Sequence, residues 1–193
     1  FETIVTDSTE PRGARIVTAT DTDIRTYGGH TLWQPLKRVM VRQPGPPASE
    51  SDWSDLAYFH PPDLQRSAAE HAGFVELLIE SGAEVVIAPP DEPGYLDAVF
   101  CYDPSLMTNA GAILLRPGKP QRVDEVAFHA KTYAEIGIPI LGSIEAPGTV
   151  DGGDVLRVGR TLYVGLSSRS NQAAIDQMQR HLAPFGYSVQ GVE

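Results

Sequence analysis

The hydrophobic and polar positions along the chain follow two spacings, one typical of strands and one typical of helices. Residues 36–42 alternate with a period of two, which predicts a β-strand. Residues 43–47 follow directly, and their proline and glycine content indicates a loop. Asp63 is a favourable N-cap, and it precedes an amphipathic pattern that predicts a long helix over 64–79.

Three segments repeat one arrangement, in which a helix ends near a glycine and leads directly into a short apolar strand. These segments are 80–87, 135–141 and 184–189, with Gly82, Gly137 and Gly186 at the helix ends. Glycine at this position can adopt the left-handed backbone conformation that a β-carbon penalises. The pattern therefore predicts three helix-to-strand connections of one kind.

The segments between the predicted helices also match one another, because each contains two short strands and then an arginine just before a helix. The matching residues are 97–100, 111–116 and Arg122 in one segment, and 154–158, 161–165 and Arg169 in the other. Helix starts near 63, 123 and 171 give a period of roughly 50–60 residues, within the range of repeat proteins.

The chain is therefore predicted to be α/β, built from repeats of strand, strand, helix and strand. Such units stack around an axis, and each needs its neighbours to cover its apolar faces. An ordinary α/β sandwich whose segments are alike by chance is the alternative. An open array of three units would leave an exposed sheet edge, so we expect the polypeptide to continue after Glu193.

Composition narrows the class of protein. The 193 residues are 41% hydrophobic and 21% charged, which is typical of a globular domain. A net charge of −10 argues against nucleic acid and anionic membranes as partners. The acidity is compatible with a cationic small substrate, although solubility alone also explains it. No oligomeric state can be read from the sequence, and a homo-oligomer is compatible with it.

The single cysteine, Cys101, excludes an internal disulfide and fits a reducing compartment, so we predict a cytoplasmic protein. No stretch approaches the roughly 18 apolar residues of a membrane span, and no secretory signal is visible. Residues 1–34 are polar and lack a clear period, and they are predicted to form an N-terminal arm. No cofactor and no metal site are predicted.

Carboxylates concentrate at the predicted strand ends and turns. Asp97 and Asp103 lie six residues apart, which would place them on one face of a straight strand. Asp151 and Asp154 flank two glycines, which allow the backbone to approach a ligand closely. Taken singly, each aspartate is more often a turn or cap residue. Together they can form the planar, bidentate contacts that a guanidinium group makes with carboxylates.

Several stretches resemble the guanidine-modifying superfamily, with the greatest similarity to dimethylarginine dimethylaminohydrolase and with arginine deiminase and amidinotransferase as relatives. They occur in family order and spacing between about residue 35 and the end of the chain. The stretches are 97–103, 111–118 with Arg122 and Glu125, 144–155, and 163–171. Any one of them alone is weak, and together they are specific.

The resemblance implies a pentein fold, a five-bladed α/β propeller of ββαβ units. Residues 35–193 would then form a partial catalytic domain of about three blades. In this superfamily a cysteine thiolate attacks the guanidine carbon, a histidine acts as acid and base, and water releases a citrulline-type product. The family positions of that histidine and cysteine lie in the last two blades, outside this chain.

The resemblance also implies roles for individual residues. Asp103 would bind the guanidinium and Asp97 the amino end of the substrate. Asp151 would orient the catalytic histidine. Arg122 and Arg169 would bind the substrate α-carboxylate. Tyr102 stands where the dimethylarginine enzymes commonly have glutamate, which removes one negative charge next to Asp103.

Residues present in this chain are poor substitutes for the missing pair. Neighbouring carboxylates would raise the pKa of Cys101, which is predicted to be a buried core residue rather than a nucleophile. His71, His129 and His181 lie on predicted helices without an apparent carboxylate partner. His60 lies in a loop that borders the substrate entrance in the family and is predicted to be structural.

Three functional hypotheses remain open at this point. One is a hydrolase of dimethylarginine or arginine whose cysteine and histidine lie beyond residue 193. Another is a catalytically incomplete chain that binds guanidino ligands or pairs with a second chain. A third, within the same family, is an amidinotransferase, in which an amine accepts the amidino group instead of water.

Overall fold

A computed structural model describes residues 27–28, 32–47, 52–88 and 95–193. The predicted N-terminal arm therefore falls almost wholly outside the described residues. Within the described ranges, no helix is both long enough and apolar enough to cross a membrane.

The described chain alternates strands and helices. The helices are α1 (Asp52–Asp55), α2 (Leu64–Glu80), α3 (Val126–Glu135) and α4 (Gln172–Leu182). The strands are β1 (Arg38–Arg42), β2 (Glu84–Ala88), β3 (Ser105–Thr108), β4 (Gly111–Leu114), β5 (Ile140–Ser143), β6 (Val155–Val158), β7 (Thr161–Gly165) and β8 (Ser188–Val192). Short 3₁₀ turns cover Leu96–Val99, Pro120–Glu125, Gly152–Asp154 and Ala183–Phe185.

The strands form three separate sheets, and two of these have the same topology. In the second unit (β3, β4, α3, β5), β3 pairs antiparallel with β4, and β4 pairs parallel with β5. The third unit (β6, β7, α4, β8) repeats both pairings. The order strand, strand, helix, strand predicted from the sequence is confirmed in both units. In the first unit, the described strands β1 and β2 pair parallel.

Helices pack between successive sheets. One apolar cluster joins α4 to the sheets of the second and third units, through residues that include Leu106, Ile113, Leu162, Val164, Met178 and Leu182. A second cluster joins α3 to β2 and β4, through residues that include Val86, Ala112, Leu114 and Tyr133. The sheets are thus layered with helices, and the described residues do not close into a barrel.

Local signals in the sequence account for the ends of the helices. Asp63 caps α2, because its Oδ1 accepts a hydrogen bond of 3.0 Å from the Arg66 N–H. Gly82, Gly137 and Gly186 follow helices and have φ values of +89°, +73° and +78°, the left-handed conformation predicted for them.

One element differs from its prediction. Residues 97–100 do not form a strand, and Asp97 and Asp103 do not lie on one strand face. Leu96–Val99 is instead a 3₁₀ turn, and the first strand of the second unit is Ser105–Thr108. The Arg122 guanidinium holds the chain in this turn, because its Nη2 donates to the carbonyls of Asp97 (3.0 Å) and Phe100 (3.3 Å).

Candidate functional site

A cleft of about 730 Å³ lies between the loop before α2 and the irregular segments of the second and third units. Four of the six predicted site residues line it, namely Asp97, Asp103, Arg122 and Arg169. The other lining residues include Tyr58, Phe59, His60, Phe100 and Lys119. The structure therefore brings together four predicted site residues that are up to 72 positions apart in the sequence (from 97 to 169).

Arg122 lies at the centre of the cleft wall, and its side chain is 2% exposed. Its Nε and Nη2 donate to the Glu125 carboxylate at 2.8–3.1 Å, and its Nη1 donates to Asp103 Oδ2 at 2.6 Å. Burial alone would lower the pKa of Arg122, but the carboxylates of Glu125 and Asp103 raise it, so the group stays protonated. One Nη1 N–H is left without an acceptor among the described residues.

Asp103 connects the second unit to the third. Its Oδ1 accepts a hydrogen bond of 3.0 Å from the Gly153 N–H, and its carbonyl accepts one of 3.1 Å from the Gly152 N–H. The Asp103 side chain is 18% exposed, so one side of the carboxylate faces the cleft. A β-carbon on Gly152 would fall well inside contact distance of the Tyr102 carbonyl oxygen. The two glycines therefore let this turn support Asp103 through backbone N–H groups.

Asp97 is buried, and both of its carboxylate oxygens accept a hydrogen bond. Its Oδ1 accepts from the Tyr58 hydroxyl at 3.0 Å, and its Oδ2 accepts from Lys119 Nζ at 2.8 Å. Lys119 also donates to the Leu56 carbonyl at 3.1 Å, which attaches the loop before α2 to the cleft wall. Burial, and then the adjacent Asp97, raise the pKa of Tyr58 to about 12, so its hydroxyl remains a donor.

Asp151 and Arg169 form an ion pair beside Gly118, the residue that precedes Lys119. Asp151 Oδ2 accepts from Arg169 Nη1 at 2.9 Å, and Oδ1 accepts from the Gly118 N–H at 2.7 Å. The Arg169 side chain is 45% exposed, so much of its guanidinium is open to the cleft. Asp154 instead stabilises the loop, because its Oδ2 accepts from the hydroxyls of Ser167 (2.9 Å) and Ser170 (2.6 Å).

Tyr102 is 46% exposed and lies outside the set of side chains that line the cleft. Cys101 is half-buried, and its Sγ lies 3.6 Å from the Ala98 carbonyl oxygen. Burial raises the pKa of Cys101 to about 11, while Arg42 and Arg122 oppose the shift. The direction agrees with the expectation for Cys101, but desolvation, not the neighbouring carboxylates, is the main cause. A thiol in this state is a weak nucleophile.

His129 and His181 make structural contacts. His129 is buried, its Nδ1 lies 2.8 Å from Ser105 Oγ, and burial lowers its pKa to about 3. His181 Nε2 lies 3.1 Å from the Ser143 carbonyl oxygen. His60 is exposed at the rim of the cleft. In the described part of the chain, no group of three or more His, Cys, Asp and Glu side chains is placed to hold a metal ion.

Comparison with known proteins supports the resemblance drawn from the motifs. The chain is 32% identical over 153 residues to the dimethylarginine dimethylaminohydrolase of Pseudomonas aeruginosa, covering 79% of this chain and 59% of that protein. It is 31% identical to the Streptomyces coelicolor enzyme of the same name, covering 82% of this chain and 60% of the relative. The chain is a homologue of the dimethylarginine dimethylaminohydrolases. It spans about three-fifths of the length of these relatives.

Solved structures agree with this homology. The Pseudomonas aeruginosa dimethylarginine dimethylaminohydrolase in complex with citrulline matches with a TM-score of 0.67 and 30% identity, covering 82% of this chain and 61% of that one. An inosamine-phosphate amidinotransferase from Streptomyces griseus matches with a TM-score of 0.63 at 19% identity, covering 86% of this chain and 62% of that one, which shows the fold alone. These neighbours are pentein-superfamily proteins. No family model matches the chain.

The dimethylarginine dimethylaminohydrolase resemblance missed several residues that shape the cleft. Glu125 belonged to a matching stretch, and its spacing of three from Arg122 on a helical turn is the usual signal for an ion pair. Tyr58 and Lys119 carried no comparable signal, because they reach Asp97 from 39 and 22 positions away. Contacts of this kind depend on the tertiary fold.

Proposed function

We propose that this chain provides the guanidine-binding carboxylates of a hydrolase that acts on guanidino amino acids of the dimethylarginine or arginine type. The products would be citrulline and an amine or ammonia. The observation that carries the proposal is the placement of Asp103, whose partly exposed carboxylate faces a cleft and is held by Arg122 and the Gly153 N–H. Homology to the dimethylarginine dimethylaminohydrolases supports the same substrate class.

Ion pairs join four carboxylates on and behind the cleft wall to three cations. The carboxylates are Asp97, Asp103, Glu125 and Asp151, and the cations are Lys119, Arg122 and Arg169. Asp103 is the carboxylate best placed to meet a guanidinium ion, because it lines the cleft and is 18% exposed, whereas Asp97 is 5% exposed. Planar carboxylate–guanidinium pairing is both strong and directional.

The remaining roles follow the same assignment. Arg169 is the better-placed ligand for the substrate α-carboxylate, since nearly half of its side chain is exposed. Arg122 contributes its remaining Nη1 N–H, and Asp97 lies where the amino end of the substrate is expected. Asp151 would exchange its contact with Arg169 for the catalytic histidine, whose protonated form a carboxylate favours.

The chemistry itself needs a thiolate and an acid–base histidine from outside these 193 residues, either in the same polypeptide or in a second chain. The thiolate would bond to the guanidine carbon while the histidine protonates the departing amine. Water, deprotonated by the same histidine, would then attack that carbon and release the citrulline-type product and the thiolate. The domain arrangement proposed with this function is an N-terminal arm over 1–34 and three ββαβ blades of a pentein propeller over 35–193.

Incubation of the natural polypeptide with asymmetric dimethylarginine, L-arginine and agmatine, followed by an assay for citrulline or another ureido product, tests the proposal. Release of citrulline from either amino acid is the expected result. No ureido product from any of the three would contradict the hydrolase assignment. Transfer of the amidino group to an added amine, with ornithine as the other product, would favour an amidinotransferase.

A non-catalytic guanidine-binding chain is the second candidate, because the one cysteine of these 193 residues is held as a neutral thiol. Calorimetric titration with L-arginine separates the two. A natural polypeptide that binds arginine but forms no ureido product from any substrate would favour the binding function.

A further inference from the structure

Lys119 lines the cleft beside Asp97. Its Nζ lies 2.8 Å from Asp97 Oδ2 and 3.1 Å from the Leu56 carbonyl oxygen, and its side chain is 25% exposed. The segment that carries Lys119 is itself fixed, because the N–H of the preceding Gly118 donates to Asp151. Hydrogen bonds therefore fix the ammonium group of Lys119 inside the cleft, unlike that of a mobile surface lysine.

Asp97 has little capacity left for a further cation. Its side chain is 5% exposed, and its second oxygen accepts the Tyr58 hydroxyl at 3.0 Å. The pKa of Tyr58 is raised to about 12, so this hydroxyl does not ionise to offer a negative charge in place of Asp97. An ammonium group that reached Asp97 would have to lie beside the ammonium group of Lys119.

Two ammonium groups that lie side by side repel each other, and the repulsion is larger in a partly desolvated cleft than in bulk water. The negative charge of Asp97 is already matched by Lys119, so a second ammonium gains little attraction there. A carboxylate at the same end of a ligand meets no such obstacle, because Arg169 presents an open guanidinium to the cleft.

We propose that Lys119 is a specificity-determining residue that occupies Asp97 and disfavours ligands with a free ammonium group at the end opposite the guanidinium. Within the proposed substrate class, the free amine of an amino acid then adds no affinity, and guanidino acids that carry the carboxylate without the amine bind at least as tightly. The inference rests on the proposed function, in which Asp103 binds the guanidinium and Asp97 faces the far end of the ligand, and it sharpens the substrate class.

Four guanidines of matched chain length test it by calorimetric titration. L-Arginine carries an ammonium and a carboxylate, agmatine only the ammonium, 5-guanidinopentanoate only the carboxylate, and butylguanidine neither. The ratio of affinities between ligands with and without the ammonium isolates its contribution. The proteins compared are wild type, Lys119→Met, Lys119→Arg, and Lys37→Met as a control for loss of an exposed lysine outside the cleft.

The ligands form two pairs that differ only in the ammonium group: L-arginine with 5-guanidinopentanoate, and agmatine with butylguanidine. We expect the ammonium-free ligand of each pair to bind at least as tightly as its partner in wild type, Lys119→Arg and Lys37→Met. In Lys119→Met the ratio should shift by roughly tenfold in favour of the ammonium-bearing ligands, since Asp97 is then unpaired. Lys119→Gln keeps a donor for the Leu56 carbonyl without the charge, and it should shift the ratio in the same direction if the methionine variant is poorly folded.

An unchanged ratio in both neutral variants would overturn the role of Lys119 and leave the guanidine-binding function standing. A shift in Lys119→Arg equal to that in Lys119→Met would also overturn it, because the charge would then be irrelevant. If none of the four guanidines binds to wild type, the proposed function fails together with the inference.

Discussion

Two arginines occupy the same place in successive units and have opposite surroundings. Arg122 precedes α3 in the second unit, and its side chain is 2% exposed. Arg169 precedes α4 in the third unit, and its side chain is 45% exposed. Each pairs with an aspartate, Arg122 with Asp103 and Arg169 with Asp151, but Arg122 also makes three hydrogen bonds to Glu125.

The residue three positions later explains the difference. In the second unit this residue is Glu125, whose buried carboxylate keeps Arg122 inside the protein. In the third unit it is Gln172, which donates to Asp176, so Arg169 has Asp151 as its carboxylate partner and no second acid corresponding to Glu125. One substitution in the repeat thus separates an arginine that holds the cleft wall from an arginine that is open to a ligand.

The helices of the two units differ in the same way. The buried face of α3 includes His129, Thr132 and Tyr133, and Ser105 Oγ bridges His129 and Tyr133 at 2.8 and 2.6 Å. The buried face of α4 is apolar and consists of Ala174, Ile175, Met178 and Leu182. Buried polar contacts therefore contribute more to the stability of the second unit than to that of the third. Such contacts depend on pH and on the presence of both partners.

The largest expected effect is on folding stability when Arg122 is removed. Arg122→Ala leaves Glu125 buried without a partner, and we expect a loss of about 3–5 kcal/mol in the free energy of unfolding. Arg169→Ala removes a side chain that is 45% exposed, so water can take its place beside Asp151, and the cost should be smaller, about 1 kcal/mol. Urea denaturation of both variants measures the difference. Equal losses would show that the two arginines have the same structural role.

In the turn that joins the two units, replacement of Gly152 by alanine should destabilise the protein, whereas replacement of Gly153 should be tolerated. Gly152→Ala places a β-carbon against the Tyr102 carbonyl oxygen, so the backbone must shift, at a cost of about 1–3 kcal/mol. In Gly153→Ala the new carbon lies 3.2 Å from Asp103 Oδ1, which can move slightly. Thermal denaturation compares the two, and a variant at Gly153 that is as unstable as one at Gly152 would contradict this account of the turn.

His129 should make the second unit sensitive to acid. Its pKa in the folded protein, about 3, lies below the ordinary value of 6.5, so the folded state favours the neutral imidazole. The contribution of the neutral His129 side chain to the free energy of unfolding is therefore complete above pH 6.5. It is lost as the pH falls toward 3. The loss is at most about 1.4 kcal/mol per pH unit.

The test compares the free energy of unfolding of wild type and His129→Gln between pH 7 and pH 5. The advantage of wild type should shrink as the pH falls, because only wild type must take up this proton on unfolding. His181→Gln in α4 controls for the loss of a helix imidazole. Parallel pH profiles for wild type and His129→Gln would rule out the proposed contribution.

The smallest effect concerns ligand affinity at Arg169. Arg169→Gln should weaken the binding of 5-guanidinopentanoate by about tenfold, the scale of one charge-assisted contact to a carboxylate. Butylguanidine, which lacks the carboxylate, should bind both proteins alike. An equal loss for the two ligands would mean that Arg169 acts through Asp151 and not on the ligand.

The sequence predicted those parts of the fold whose causes are local. Asp63 caps its helix through a neighbour three residues away, and Gly82, Gly137 and Gly186 adopt their positive φ for steric reasons that hold in any context. The repeated order of short strands likewise placed a strand at 161–165, which the structure contains. Such features need no knowledge of the tertiary structure.

The sequence was misleading where distant groups determine the backbone. Residues 97–100 have the apolar pattern of a strand, yet hydrogen bonds from Arg122 hold them in a 3₁₀ turn. The pairing of Lys119 with Asp97 is equally non-local. The motifs identified the residues of the cleft, but their contacts became visible only with the fold.

The most direct test of the central claim is the affinity of the cleft for a guanidinium group with and without the Asp103 carboxylate. Calorimetric titration of 5-guanidinopentanoate and of its uncharged urea counterpart, 5-ureidopentanoate, should be carried out on wild type, Asp103→Asn and the exposed control Asp124→Asn. The account predicts that Asp103→Asn weakens binding of the guanidine at least about tenfold, with little change for the urea, and that Asp124→Asn resembles wild type. Equal guanidine affinity in Asp103→Asn and wild type would contradict it.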